Sequence, residues 1–144
     1  MVMKRTYRLS GMDAAKFEES SLFNAFSELI GAMSDVAQAI KKPSFNEVGE
    51  RLLLEAVEFL DNVVEIYADK SVNYKITQAA GTHSIMCRMR VKLDVLEHIG
   101  VVGSEEVAKA NLALRKLETE IHNWRRELEK EADRQYELEQ SLPF

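Results

Sequence analysis

The sequence predicts an all-α fold, an antiparallel up-down-up-down four-helix bundle. Apolar residues recur every three or four positions in four successive segments, and short loops separate these segments. Only two prolines and six glycines occur in 144 residues, so long stretches are free of helix breakers. We expect one bundle over residues 13–130, a basic N-terminal arm over 1–12 and a charged C-terminal extension over 131–144.

The first helix is predicted from an apolar stripe with spacings of three and four residues. The stripe consists of Phe23, Phe26, Ile30, Met33, Ala37 and Ile40. We expect this helix to end at Lys41 and Lys42, because cations favour a helix C-terminus and Pro43 follows. Ser44 and Glu47 then match a capping box for the second helix.

The second helix is predicted from Phe45 to Asp69, with an apolar face wide enough to pack against two neighbours. The third is predicted from Tyr74 to Ile99. Its inward residues are expected to be Met86, Met89, Leu93 and Leu96. Gly81 indicates either a close approach of another backbone or an irregular first turn. His83 continues the apolar stripe, so we expect it to be buried.

The fourth helix has the clearest pattern, since its apolar residues alternate at three and four positions over three heptads. We expect Ser104, Glu105 and Glu106 to cap its start. The stripe consists of Val107, Ala110, Leu114, Leu117, Ile121, Trp124 and Leu128. Trp124 is the only tryptophan and lies in this register, so it is predicted to anchor the core rather than to stack on bases.

The net charge of -5 argues against a general nucleic-acid binder, because neutralising phosphates requires a surplus of cations. The charge is unevenly distributed. The second helix carries an acidic stripe that includes Glu55, Glu58, Asp61 and Glu65. The stretch from Lys70 to Leu93 has no acid and holds Lys70, Lys75, Arg88, Arg90 and Lys92. We expect the acidic stripe of one subunit to face the acid-free stretch of the next, which makes those four acids oligomer-interface candidates.

No motif in the sequence identifies an active site. The paired Glu-x-x-His motifs of di-iron bundles and the glycine loops that bind phosphates are both absent from the sequence. We therefore predict a non-catalytic protein without metal or cofactor. A single cysteine, Cys87, no apparent leader and no long apolar run predict a cytoplasmic protein that does not enter a membrane.

One enzymatic alternative stays open. Arg115 and His122 are two turns apart on the same face of the fourth helix. This spacing resembles the Arg-x4-6-His motif of HEPN ribonucleases, which are all-α and usually dimeric. The resemblance implies a metal-independent ribonuclease in which His122 assists attack by the 2′-hydroxyl and Arg115 steadies the phosphate.

A broader resemblance covers roughly residues 30 to 130. It lies in the order and length of the helices, the cation-bearing third helix, the hairpin from Gly103 to Ser104 and Glu105, and a last helix that closes on Trp124. In these features the chain resembles the Avd-like branch of the bacterial four-helix-bundle family. That family groups the accessory variability determinant of diversity-generating retroelements with proteins encoded in intervening sequences of 23S ribosomal RNA genes.

The resemblance implies a homopentameric ring of bundles that holds a reverse transcriptase and its template RNA. The cations that match the family are Arg88, Arg90, Lys92, Arg125 and Arg126, and they transfer as candidate contacts. Lys70 and Lys75 are added from the charge pattern alone. The retroelement proteins are basic and this chain is acidic, which favours docking of a protein over direct binding of RNA. A third alternative is a bundle of the intervening-sequence branch, with no retroelement attached.

Overall fold

The computed structural model describes residues 16–142, and this part of the chain contains helices and no strand. Its long helices are α1 (Ser21–Gln38), α2 (Asn46–Ala68), α3 (Val72–His98) and α4 (Ser104–Gln140). The all-α prediction is confirmed, and the predicted bounds of the second and third helices are right to within two residues. The predicted basic arm, residues 1–12, lies outside the described part.

Serine side chains cap two of the helices. Ser20 Oγ accepts a hydrogen bond from the amide of Phe23 at 3.1 Å, and Ser71 Oγ accepts one from the amide of Tyr74 at 3.2 Å. Each bond satisfies one of the amides that have no partner within the first turn of a helix. The serines therefore fix where α1 and α3 begin.

The predicted capping box of the second helix is wrong. Pro43–Phe45 instead forms a 3-10 turn, in which the amide of Phe45 bonds to the carbonyl of Lys42 at 2.9 Å. This turn leads directly into α2, whose start has no side-chain cap. The start of α4 at Ser104 is confirmed, but its cap is Gly103, which has no side chain to offer.

A glycine ends α3. Gly100 has a φ of +75°, and its amide bonds to Glu97, while the amide of Val101 bonds to Leu96, each at 3.0 Å. These bonds form a Schellman motif, which turns the chain sharply and satisfies the last carbonyls of the helix. The carbonyl of Val101 then accepts a bond from the amide of Lys41 at 3.1 Å, so the α1–α2 and α3–α4 loops meet at one end of the molecule.

Each long helix packs against two others. α1 lies against α2 and α4, while α3 lies against α4 and, more sparsely, against α2. Phe26 of α1 and Phe59 of α2 meet edge to face, with ring centroids 5.0 Å apart. On the other side of α1, Ser21 donates to Glu120 at 2.6 Å and Lys116 donates to Glu28 at 3.1 Å. As residue numbers increase along α1, the residue numbers of the partners on α4 therefore decrease.

One apolar cluster joins all four helices. The inward residues predicted for the third helix, Met86, Met89, Leu93 and Leu96, are all buried. Every member of the predicted α4 stripe is buried except Trp124, which is half-buried. Trp124 packs against the cluster, and its ring lies 6.2 Å from that of Tyr67. The prediction of a buried anchor is thus only partly right, because Trp124 contacts the core but is not buried in it.

The predicted stripe of the first helix is only partly right. Phe26 and Met33 are buried, whereas the other four members are half-buried. The fully buried positions include Leu22, Leu29 and Val36 instead. Because α1 packs against α2 on one side and α4 on the other, its buried face is broader than the stripe and is centred between them.

Two expectations for the third helix are wrong. His83 is exposed, and the adjacent Thr82 is the buried polar residue, with its hydroxyl donating to the carbonyl of Ala79 at 2.7 Å. Gly81 lies well inside α3, and a Cβ placed there would meet no atom within 4 Å. Gly81 therefore marks neither a close contact nor an irregular first turn.

A close approach does occur at another glycine. A Cβ on Gly49 of α2 would lie 2.5 Å from Ile40 Cδ1 and 3.0 Å from Ala37 Cα. The absence of a side chain at Gly49 therefore lets the backbones of α1 and α2 come together near the loop that joins them.

The α4 helix is longer than the other helices. It has 37 residues, compared with 18 in α1, and it continues without interruption through the segment predicted as a C-terminal extension. Within that segment Tyr136 and Leu138 are 64% and 67% exposed. The described part of the extension is thus a helix, which ends at Gln140.

Candidate functional site

Two of the cations predicted on the third helix form ion pairs with neighbouring helices. Arg90 bonds to Glu118 of α4 at 2.8 Å, and Lys92 bonds to Glu55 of α2 at 2.5 Å. The acid-free stretch is therefore bordered by acids on both sides. Since both pairs are partly exposed, each is expected to contribute roughly 0–1 kcal/mol to stability.

The other predicted cations differ in their surroundings. Arg88 is exposed and lines a groove of about 340 Å³ between α2 and α3, together with Glu58 and Asn62. Lys70 is exposed in the α2–α3 loop, and Lys75 is half-buried. Within residues 16–142 no ion pair involves Arg88 or Lys70, so both remain available to an external partner.

The four predicted interface acids lie along α2 but are not equivalent. Glu55 is half-buried and holds Lys92 of its own chain, while Glu58 is exposed beside Arg88 in the α2–α3 groove. Asp61 is exposed and Glu65 is half-buried. A neighbouring subunit would therefore have to compete with Lys92 for Glu55, whereas Glu58 is accessible.

Lys75 and Trp124 meet where the α4 extension leaves the other helices. They line a surface cavity of about 420 Å³ together with Lys16, Tyr67 and Glu131. Basic and acidic side chains thus line this cavity together with the aromatic rings of Tyr67 and Trp124. Of the two arginines after Trp124, Arg126 is exposed and Arg125 is half-buried.

A cleft between α3 and α4 was not predicted from the sequence. It has a volume of about 370 Å³ and a floor of small or apolar residues, Ala79, Thr82, Met86 and Ile121. Its rim consists of His83, Glu118, Thr119, His122 and Arg125. Two of the chain's three histidines thus share one cleft with an arginine. The sequence holds no direct signal for this, because the pairing of α3 with α4 brings His83 and His122 together.

The cleft does not contain both residues of the ribonuclease alternative. His122 lines it, whereas Arg115 lines a separate cavity of about 460 Å³ with Glu97, Asn111 and Leu112. Both side chains are exposed on α4. The structure therefore groups His122 with Arg125 and His83 rather than with Arg115.

Arg125 is half-buried and forms an ion pair within α4. Its Nε lies 3.4 Å from Glu129 Oε1, without the geometry of a hydrogen bond. Its own chain therefore engages this guanidinium only in part.

The remaining polar clusters give no metal site. Across residues 16–142, no three or more His, Cys, Asp or Glu side chains are arranged to hold a metal ion. Cys87 is half-buried, with Sγ 3.4 Å from His83 Nε2. In the same part of the chain, no helix is both long and apolar enough to cross a membrane.

Exposed apolar side chains form a line on α3. Val91, Val95 and Ile99 are 61%, 51% and 43% exposed, and their spacing of four residues places them on one face. Val48 of α2 is also exposed and lines a cavity of about 400 Å³ with Lys92 and Leu52. We call Val91, Val95 and Ile99 the α3 valine face.

Comparison of the chain with known protein families, with curated proteins and with solved structures finds no match.

Proposed function

We propose that the chain is a non-catalytic accessory protein of a diversity-generating retroelement. In this role it forms a homo-oligomeric ring that binds a reverse transcriptase and, through a smaller set of contacts, its template RNA. The proposal rests on the sequence resemblance described above and on the surface of the helices. The single cysteine, which cannot form an internal disulfide, supports a cytoplasmic location.

We also propose that the helices form an antiparallel up-down-up-down bundle. The contacts between α1 and α4 support this topology, because Ser21 pairs with Glu120 and Glu28 with Lys116. The same reversal of residue order relates Arg90 and Asp94 of α3 to their partners on α4, Glu118 and Asn111. Such an arrangement leaves the outer faces of all four helices available to partners.

The α3 valine face is the observation that carries the oligomer proposal. Singly exposed apolar residues are common on protein surfaces, but three in line on one helix form a continuous strip. Burying that strip against another protein would remove apolar surface from water. A second copy of the chain is the partner that a ring requires.

Exposed cations are the remaining support for binding of a reverse transcriptase or RNA. Arg88, Lys70 and Arg126 are exposed, and no ion pair engages them within the described residues. Arg90 and Lys92 are weaker candidates, because each is already paired with a carboxylate. Since the net charge is -5, these cations form local contacts rather than a broad basic surface.

Light scattering coupled to size exclusion tests the oligomer. We expect a mass near five times 16.4 kDa, which decreases at high salt if acidic and basic surfaces of different subunits face each other. The double substitution Val91→Glu and Val95→Glu should lower the mass, because it places charge in the apolar strip. Leu112→Glu, at a 53% exposed site on α4, is the matched control and should leave the mass unchanged.

A monomer at every salt and protein concentration would contradict the ring. Oligomers that survive the double substitution would show that the α3 valine face is not the interface. A reverse transcriptase encoded beside this chain should bind the purified oligomer. An oligomer without such a neighbour would favour the intervening-sequence branch of the family.

A ribonuclease is the second candidate, and the observation that favours it is the presence of His122 and His83 in one cleft. A histidine can act as a general base toward a 2′-hydroxyl. RNA cleavage that is lost in His122→Ala, with the helical content unchanged, would support this candidate. Loss of cleavage in Arg115→Ala as well would assign the activity to the predicted motif.

A further inference from the structure

We propose that the cleft between α3 and α4 binds single-stranded RNA, with a phosphate at Arg125 and the two histidines and a ribose hydroxyl at Glu118. The inference rests on the RNA contact of the proposed function, keeps the candidate contact Arg125 and adds His83, His122 and Glu118 to it. It does not depend on the ring, because one chain supplies every residue of the cleft.

The size and the floor of the cleft suit a small organic group. Its volume of about 370 Å³ falls at the lower end of the range for small-molecule sites, roughly 300–1,000 Å³. Alanines at positions 79 and 80 of α3 leave the space open. The only polar side chain in the floor, Thr82, is satisfied by the carbonyl of Ala79, so the floor makes no polar demand on a ligand.

The rim supplies donors for a phosphate. Arg125 brings a guanidinium whose Nε lies 3.4 Å from Glu129 Oε1, and phosphate oxygens are strong acceptors for guanidinium groups. The ring N–H groups of His83 and His122 can donate to the same phosphate. The contact between His83 and Cys87 limits the positions that the His83 ring can take.

Glu118 is the residue of the cleft that can distinguish a ribonucleotide from other phosphate ligands. Its Oε1 is paired with Arg90 at 2.8 Å, so the charge of this carboxylate is largely compensated. Its second oxygen can accept a hydrogen bond from a hydroxyl, and the 2′-hydroxyl distinguishes RNA from DNA. The planar side chains of His83, His122 and Arg125 can also stack on an unpaired base. These properties favour an unpaired ribonucleotide over inorganic phosphate or double-stranded DNA.

Fluorescence polarisation of a labelled single-stranded RNA of about ten nucleotides tests this site at low salt. We expect Arg125→Gln to weaken binding about tenfold, because it removes a charge-assisted contact. Arg134→Gln is the matched control, since Arg134 is exposed on the same helix and does not line the cleft. It should change the affinity by less than about twofold.

Two further comparisons separate the possible outcomes. Glu118→Gln should reduce the preference for RNA over DNA of the same sequence, and uridine monophosphate should compete if the cleft accepts a free nucleotide. Equal weakening by Arg125→Gln and Arg134→Gln would indicate diffuse electrostatic binding and overturn the site. No binding of RNA by the unaltered protein would also overturn it, while leaving the mass measured by light scattering unaffected.

Discussion

At the scale of single residues, Gly49 determines how closely α1 and α2 can approach. It is buried on α2, where a Cβ would meet Ile40 and the backbone of Ala37. Ile40 can move aside, whereas the backbone of Ala37 can move only if α1 shifts. Gly31 of α1 provides a contrast, because it is exposed and has open space around its Cα.

We predict opposite effects for alanine at these two glycines. Gly49→Ala should lower the free energy of unfolding by about 1–3 kcal/mol, because it overpacks the contact between α1 and α2. Gly31→Ala should raise it by up to about 1 kcal/mol, because alanine favours the helix and meets no clash. Urea unfolding of both variants measures the difference. Similar changes in both would contradict the close approach at Gly49.

Which residues of a helix are buried was harder to predict than the helix itself. His83 and Thr82 are adjacent, yet one is exposed and the other is buried, because successive residues differ by about 100° around a helix. The sequence pattern placed His83 in the apolar stripe, and a rotation of one residue reverses that result. Arg125 was a candidate contact from the resemblance, but its place in a cleft with two histidines could not be predicted, since that cleft exists only where α3 meets α4.

At the scale of elements, the helices of this chain begin in different ways. Ser71 caps α3 with its hydroxyl, whereas α2 follows a 3-10 turn and uses no side-chain cap. The sequence instead predicted a side-chain cap for the second helix, because Ser44 and Glu47 have the spacing of a capping box. Pro43 explains the difference, since its fixed φ favours the tight turn that carries the chain into α2.

We predict that Ser71→Ala lowers the free energy of unfolding by about 1 kcal/mol, because the amide of Tyr74 loses its acceptor. Ser44→Ala should change it by less than about 0.5 kcal/mol, because Ser44 is exposed and caps no helix. Thermal unfolding followed by circular dichroism measures both variants. A larger effect at Ser44 than at Ser71 would show that the capping box forms in solution.

Helix existence and length were largely predictable, and the reason is the strength of the apolar periodicity. The α4 stripe from Val107 to Leu128 is regular, and nearly all of it is buried. The α1 stripe was less informative, because four of its six residues are only half-buried, while Leu22, Leu29 and Val36 are buried. Both α1 and α4 pack against two neighbours, so spacing predicts the helix but does not determine which of its faces lies between them.

At the scale of the whole molecule, one apolar cluster connects all four helices. No helix has a separate core within the described residues, so the helices should lose their structure together. The α4 extension is an exception, because Tyr136 and Leu138 are mostly exposed. Because these side chains bury little surface against the described residues, we expect the end of this helix to fray first.

We predict that unfolding measured by Trp124 fluorescence and by far-ultraviolet circular dichroism gives coincident urea transitions. Trp124 packs against the shared cluster, while circular dichroism reports on all helices. A chain ended after Lys130 is the control, and it should lose helical signal while keeping the same midpoint. A fluorescence transition at clearly lower urea would show that the end of the molecule around Trp124 unfolds independently.

The two ends of the molecule, which we call its poles, differ from each other, and the hydrogen bond between Lys41 and Val101 lies at one of them. The α1–α2 and α3–α4 loops lie at one pole, and Phe17, whose ring is 5.1 Å from that of Tyr67, lies beyond the other end of α1, a helix about 27 Å long. Ser44, exposed at the first pole, is therefore a suitable position for an introduced cysteine and a maleimide tether, once the free thiol of Cys87 is replaced by serine. A protein immobilised through that position would present Trp124 and the α4 extension to the solution, which orients it for capture experiments on a sensor surface.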